Sequence, residues 1–268
     1  MIVLGYILAV LVGVSLGLIG SGGSILTVPI LVYIMGVDPV LATAYSLFIV
    51  GATALIGGIQ NARLGTVDFK TVLIFGIPSI IAVYLTRAFI LPFIPADVFS
   101  VGDFTVTKPI LLMLLFAVVM VAASISMIKP VKKSVENKEN EEKELSYNYP
   151  MILLEGTVVG LLTGLVGAGG GFLIIPALVL LAKMPMKKAV GTSLFIISAK
   201  SLIGFTGDLG GEMLIDWTVL GIFTLASVIG IFIGILLSKK IPGAKLKTGF
   251  GWFVLVMGIY IIIKELFM

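Results

Sequence analysis

The 268-residue chain contains no cysteine and no histidine, and only 12% of its residues are charged. Each absence excludes something. Without cysteine there are no disulfides, thiolate metal sites or cysteine nucleophiles, and without histidine there is no imidazole ligand or general base. No catalytic residue, metal site or cofactor is expected. A soluble domain has about a quarter of its residues charged, so this chain cannot clothe a water-facing surface of its size. What it has instead is 59% hydrophobic residues and a mean hydropathy of +1.22. The expected partner is therefore the lipid bilayer. A net charge of +4 is too small to argue for nucleic acid, and in a membrane protein the position of the charges matters most.

A bilayer core about 30 Å thick needs roughly 20 helical residues. Apolar runs occupy 2–19, 24–36, 40–59, 69–95, 107–128, 150–166, 171–183, 187–206, 217–238 and 250–267, and eight of these are long enough to span. The runs 24–36 and 171–183 have 13 residues each, about 20 Å of helix. Both follow a glycine-rich break: Gly20-Ser21-Gly22-Gly23-Ser24 in one case, Gly167-Ala168-Gly169-Gly170-Gly171 in the other. Residues 129–148 form the extended polar segment, which reads as a solvated linker.

The two breaks belong to an internal repeat. Gly17–Asn61 aligns with Gly164–Asp208 without a gap, at an offset of 147, with 18 of 45 positions identical. A one-residue shift then pairs Val67-Asp68-Phe69 with Ile215-Asp216-Trp217. The chain is thus two homologous halves, 1–128 and 149–268, joined by the linker. If each glycine-broken pair is a hairpin that returns to its own side, three crossings remain per half and the halves are inverted. Arg63, Lys70, Lys129, Lys132, Lys133, Lys183, Lys187, Lys188, Lys239, Lys240, Lys245 and Lys247 then fall on one side. Asp38, Asp97, Asp103, Asp208, Glu212 and both termini fall on the other. Excess Lys and Arg marks cytoplasmic loops. The expected fold is an all-α integral protein of the cytoplasmic membrane, made of two inverted repeats. Each repeat is a broken hairpin plus three transmembrane helices; the linker lies inside and the termini outside.

Paired repeats are typical of secondary transporters, with the substrate site where the repeats meet. A hairpin tip at membrane depth exposes the N–H groups that open its second arm, the positive end of a helix dipole. Two such ends, at Ser24 and Gly171, make an anion cradle. Gly22, Gly23, Gly169 and Gly170 let a ligand approach the backbone, and Ser21 and Ser24 add hydroxyls. Ser46 and Ser193 are repeat equivalents, as are Tyr45 and Thr192, and Ser46, Thr192 and Ser193 read as site lining. Lys200, near the middle of its helix, has the neutral counterpart Thr53; an ionisable residue at such depth is a functional-site candidate. It either faces the cavity or snorkels to the outer surface. Arg87 reads as an anchor at the outer interface, with an entrance role for an anion as the alternative; Asp68 and Asp216 read as helix caps, and Gln60, Asn61 and Asp208 as loop polarity. Ser193 and Lys200 stand two turns apart, about 10 Å by rise, too far for a nucleophile and its base. An enzyme is therefore not expected, and an anion channel using the same cradle is the alternative.

The repeated G-x-x-G-x-G-G-G/S…P signature, each time followed by a T/Y-S-L-F block, resembles the TauE/SafE family of membrane permeases. The resemblance covers both halves, and it implies a transporter of small anions such as sulfite, sulfoacetate or other organosulfonates.

Overall fold

The computed structural model describes residues 2–20, 23–101, 104–128, 149–180, 184–209, 214–238 and 243–267. The chain begins with α1 (Ile2–Ile19) and α2 (Ser24–Pro29), the latter continued by a π-helical turn, Ile30–Ile34. Next come α3 (Pro39–Arg63) and α4 (Phe69–Leu85), with α4 continued by a second π-helical turn, Thr86–Ile90, and by α5 (Leu91–Phe93). Strands β1 (Asp97–Val101) and β2 (Phe104–Thr107) precede α6 (Lys108–Ile128). The second half holds α7 (Tyr149–Val166), α8 (Gly171–Leu180), α9 (Met186–Thr206), α10 (Trp217–Ser238) and α11 (Gly243–Phe267). Among the described residues, six segments are long and apolar enough to cross a membrane: Ile2–Ile19, Pro39–Arg63, Phe69–Phe93, Lys108–Ile125, Met186–Thr206 and Trp217–Ser238.

One short β-hairpin accompanies the helices. β1 and β2 pair antiparallel, with Asp97 opposite Thr107 and Val101 opposite Phe104. Val98, Phe99, Val101, Phe104 and Val106 are β-branched or aromatic, residues that suit a half-buried pleated surface. Only the eleven residues 96–106 separate the long apolar runs here, too few for another membrane-spanning helix. The fold is mostly helical, with one short hairpin.

Helix starts follow local chemistry. The Asp38 carboxylate accepts from the Val40 and Leu41 N–H groups, with Pro39 in the first turn, where its missing N–H costs nothing. Asp68 accepts from the Thr71 N–H at 2.9 Å, and Asp216 from those of Thr218 and Val219 at 2.9 and 3.1 Å. The capping reading of this equivalent pair is what the structure contains.

Packing runs between the halves. α1 lies along α10, α4 along α7, α3 along α9 and α6 along α11, and further contacts join α4 to α9 and α3 to α10. The order of elements makes α1 and α7, α3 and α9, α4 and α10, and α6 and α11 counterparts. Exchanging the halves therefore maps this scheme onto itself. Glycine contacts give the directions. Gly51 sits against Leu202 and Gly58 against Phe195, so α3 and α9 run oppositely. Gly251 sits against Met127 and Gly258 against Val121, so α6 and α11 also run oppositely. α1 and α10 run parallel, with Gly13 at Ser227 and Gly17 at Ile231; α7 and α4 do too, with Gly156 at Phe75 and Gly164 at Thr86. Small residues spaced by four let backbones touch, as membrane helices require where no hydrophobic effect drives them together.

These directions sort the charges. Arg63, Lys70, Lys187 and Lys188 stand at one end of the bundle, while Asp38, Asp97, Asp208 and Asp216, with Arg87 and Lys108, stand towards the other. α2 turns back along α1: Gly23 lies against Val12 and Leu16, and Met35 against Gly5. The first hairpin thus returns to the end from which it started.

Candidate functional site

The hairpin tips reach deep into the opposite half. Gly20 and Gly167, repeat equivalents that close the first arms, have φ of +78° and +72°. A Cβ on Gly20 would lie 2.5 Å from Val190 Cγ1, and one on Gly167 would lie 2.5 Å from the Thr43 carbonyl oxygen. Val190 and Thr43 are themselves equivalents. Only glycine combines that backbone conformation with such close approach.

The second arms start where the tips meet. Gly169, at φ +65°, packs against Val50, Ile197 and Ser24, whose Cβ is 3.2 Å from where a Gly169 Cβ would stand. α2 and α8 touch, and Ser24 and Gly171 are both buried. Gly170, at φ +62°, lies against Thr163 and 2.7 Å, by the same measure, from Lys200 Nζ. Gly23 differs from its equivalent Gly170: its φ of −63° is ordinary helix. What Gly23 provides is closeness, since a Cβ there would meet Ser15 Oγ at 2.5 Å and Leu16 Cγ at 2.8 Å. Ser21 and Gly22 lie outside the described residues.

Lys200 is fully buried and donates to the Thr163 Oγ1 at 2.8 Å. It does not reach the surface, so the snorkelling alternative fails. Among the described residues no carboxylate lies within ion-pair distance of it, and Thr163 takes one of its three N–H donors. The α3–α9 register sets Thr53 level with Lys200. The hydroxyls of Thr53, Ser46 and Ser201 are buried and have no hydrogen-bond partner. Ser24, Gly169, Gly170, Gly171, Thr53 and Lys200 therefore gather around the meeting of the tips.

Thr192 and Ser193 sit further toward the Lys-rich end. The Thr192 hydroxyl accepts from the Asp68 N–H at 2.9 Å, just as the Tyr45 hydroxyl, its repeat equivalent, accepts from the Asp216 N–H. Ser193 bonds back to the Val190 carbonyl at 2.8 Å. These hydroxyls tie helices to loops or to their own backbone.

The structure pairs two residues that the sequence left apart. Arg87, in the π-helical turn of α4, is 1% exposed, and its Nη1 lies 3.4 Å from Oδ1 of Asp208, just past the end of α9. Arg87 is thus no interface anchor and Asp208 no solvated loop residue. Burial holds the Asp208 carboxyl above the usual carboxylate range, against the opposing pull of Arg87. The one available signal was an arginine inside an apolar run, which calls for a partner without naming it.

Long apolar helices, cross-paired halves and broken hairpins whose tips meet describe a multi-pass membrane protein. A family model described as "Sulfite exporter TauE/SafE" matches residues 5–261. The chain belongs to that family of membrane transporters. It is 31% identical over 259 residues to a "Probable membrane transporter protein" of Xylella fastidiosa (strain 9a5c), covering 94% of this chain and 91% of the relative. It is 30% identical over 244 residues to the "Probable membrane transporter protein YunE" of Bacillus subtilis (strain 168), covering 85% and 84%. A third relative, a "Probable membrane transporter protein" of Haemophilus influenzae, is 26% identical over 281 residues, with 98% of both chains covered. No solved structure matches the chain.

Proposed function

We propose that this protein is a secondary transporter that carries a small anion by alternating access, at a site between two inverted repeats. The observation that carries the reading is the meeting of the two broken hairpins beside Lys200: Ser24 at Gly169, and Gly170 at the buried ammonium. Neutral N–H dipoles together with one fixed cation suit an ion that must leave water yet be released again. Cradle residues are Ser21, Gly22, Gly23, Ser24, Gly169, Gly170, Gly171 and Lys200, with Ser46, Thr192 and Ser193 along the helices that the repeats slide past.

The opposed directions of α3 and α9, and of α6 and α11, support inversion of 1–128 against 149–268. The sorting of lysines and arginines to one end supports a cytoplasmic linker, with both termini on the outer face of the cytoplasmic membrane. The family description supports sulfite, an organosulfonate or a related sulfur oxyanion as cargo.

The test is flux in proteoliposomes against a panel of labelled sulfite, sulfate, thiosulfate, organosulfonates and carboxylates. Saturable uptake of a sulfur oxyanion with counterflow is the expected result. Flux without saturation or counterflow would make the protein a channel, and no anion flux from correctly inserted protein would end the reading.

A further inference from the structure

The Arg87–Asp208 pair is poorly made. A charge-assisted N–H to carboxylate bond is ordinarily 2.7–2.9 Å and, for arginine, often bidentate; here there is a single contact at 3.4 Å. Arg87 Nε and Nη2 and Asp208 Oδ2 are buried without a hydrogen-bond partner. Buried polar groups are normally satisfied, and each exception needs a reason. Arg87 side-chain exposure is 0% and that of Asp208 is 2%, so bulk water does not make up the deficit.

The duplication does not require this pair. The counterpart of Asp208 is Asn61, which donates from Nδ2 to the Gly57 carbonyl at 2.9 Å and accepts from Thr66 Oγ1 at 3.0 Å. The counterpart of Arg87, at the offset of 148 that follows the one-residue shift, is Ile235. The Lys-rich end of the bundle is thus neutral and satisfied at this place, whereas the Asp-rich end has an under-satisfied guanidinium. Lys108, at the start of α6, lies within electrostatic range of both Arg87 and Asp38.

The geometry points to Arg87 as a second anion-binding site, specific for a small oxyanion that presents two oxygens to the guanidinium fork, with Asp208 as its built-in competitor. Nη1 alone faces Asp208, and the unpartnered Nε and Nη2 edge of the planar fork matches two oxygens of a sulfonate, sulfite or sulfate. The arriving oxyanion takes the fork, and Asp208 is released. Placed at one end only, the site loads or unloads cargo on that side alone. In this last respect the inference rests on the transport reading; the binding itself does not.

Equilibrium binding separates the two. The full chain in detergent is titrated with sodium sulfate, against sodium chloride of equal ionic strength, and unfolding is followed by Trp217 and Trp252 fluorescence. Asp208→Asn should be stabilised by sulfate with half-saturation at least tenfold lower than wild type. The gain should vanish in Asp208→Asn with Arg87→Gln and survive in Asp208→Asn with Lys200→Met. Equal half-saturation in wild type and Asp208→Asn, an equal response to chloride, or loss of the gain with Lys200→Met each overturns the site.

If Asp208→Asn does not yield folded protein, Arg87→Lys decides, because it keeps the ion pair and removes the fork. It should raise KM for the oxyanion at least tenfold from the Asp-rich side, with the maximal rate within twofold of wild type. An unchanged KM would refute the proposal. Absence of flux in wild type would sink the transport reading, while the sulfate titration still decides the site.

Discussion

Replacing Lys200 with methionine should push stability and affinity in opposite directions, and both effects follow from its surroundings. The ammonium is fully buried with one hydrogen bond, to Thr163 at 2.8 Å. A hydrogen bond to a charged group is worth about 1.5–3 kcal/mol, whereas taking an unpaired charge out of water costs several kcal/mol even after relaxation. Methionine is similarly long, unbranched and apolar, and fills irregular interior space. The empty Lys200→Met protein should therefore unfold at a higher temperature than wild type. The bound state reverses the balance. An anion about 4 Å from the ammonium, at an effective dielectric near 20, gains about 4 kcal/mol, so its loss lowers affinity by roughly three orders of magnitude. Lys200→Arg, which keeps the charge, should retain part of that affinity. The assay is anion titration of purified protein by isothermal calorimetry, with unfolding followed by tryptophan fluorescence. Affinity in Lys200→Met within about threefold of wild type would show that the ammonium does not touch the cargo.

Other consequences can be checked alongside. Thr163→Val takes the partner from Lys200 and should destabilise the protein by about 1–3 kcal/mol, an effect that should disappear in a Lys200→Met background. Gly17→Leu and Gly160→Leu, where a Cβ would stand 2.5 Å from the Ile231 and Ser79 carbonyl oxygens, should each cost at least 1–3 kcal/mol, roughly the overpacking range; Gly249→Leu, exposed and facing open space, should be nearly silent by the same melting assay. Gly167→Ala, strained in both dihedral and contact, should abolish flux while Gly76→Ala preserves it. In this cysteine-free chain, single cysteines at the exposed positions Asp97 and Leu214 should react with an impermeant maleimide from outside, and one at Lys187 only after the membrane is opened. The reverse pattern would invert the orientation assigned from the lysines.

Much of the architecture could be read from the sequence because membrane spans are one-dimensional signals. Run length separates a crossing from a 13-residue arm, and an ungapped offset identifies counterparts such as Gly20 and Gly167 or Tyr45 and Thr192. Helix packing is a different matter. Nothing in the apolar runs said that α1 would lie on α10 rather than on α3, because lipid-facing and helix-facing surfaces are nearly equally apolar. For the same reason Arg87 and Asp208, 121 positions apart, could not be matched. The β-hairpin fell in a stretch too short and mixed for a helix pattern. The glycines taught a finer point: Gly23 and Gly170 are equivalent in sequence, yet one serves closeness in an ordinary helical conformation and the other a left-handed turn.

The exchange of partners between the halves has a consequence for how the protein is made. The seam of α1 against α10 joins Gly13 to Ser227 and Gly17 to Ile231, so the first helix enters the bilayer roughly 200 residues before its neighbour is synthesised. At about 5–20 residues per second that interval lasts on the order of 10–40 s. Throughout it, a glycine-lined face lacks its partner helix, and the hairpin tip at Gly20 lacks the Val190 side chain that packs against it. Insertion and assembly must therefore be separate events, with the native bundle closing only after the last helices arrive. A chaperone or the insertion machinery that holds early helices together during that interval would act on this chain's yield more than on its final stability.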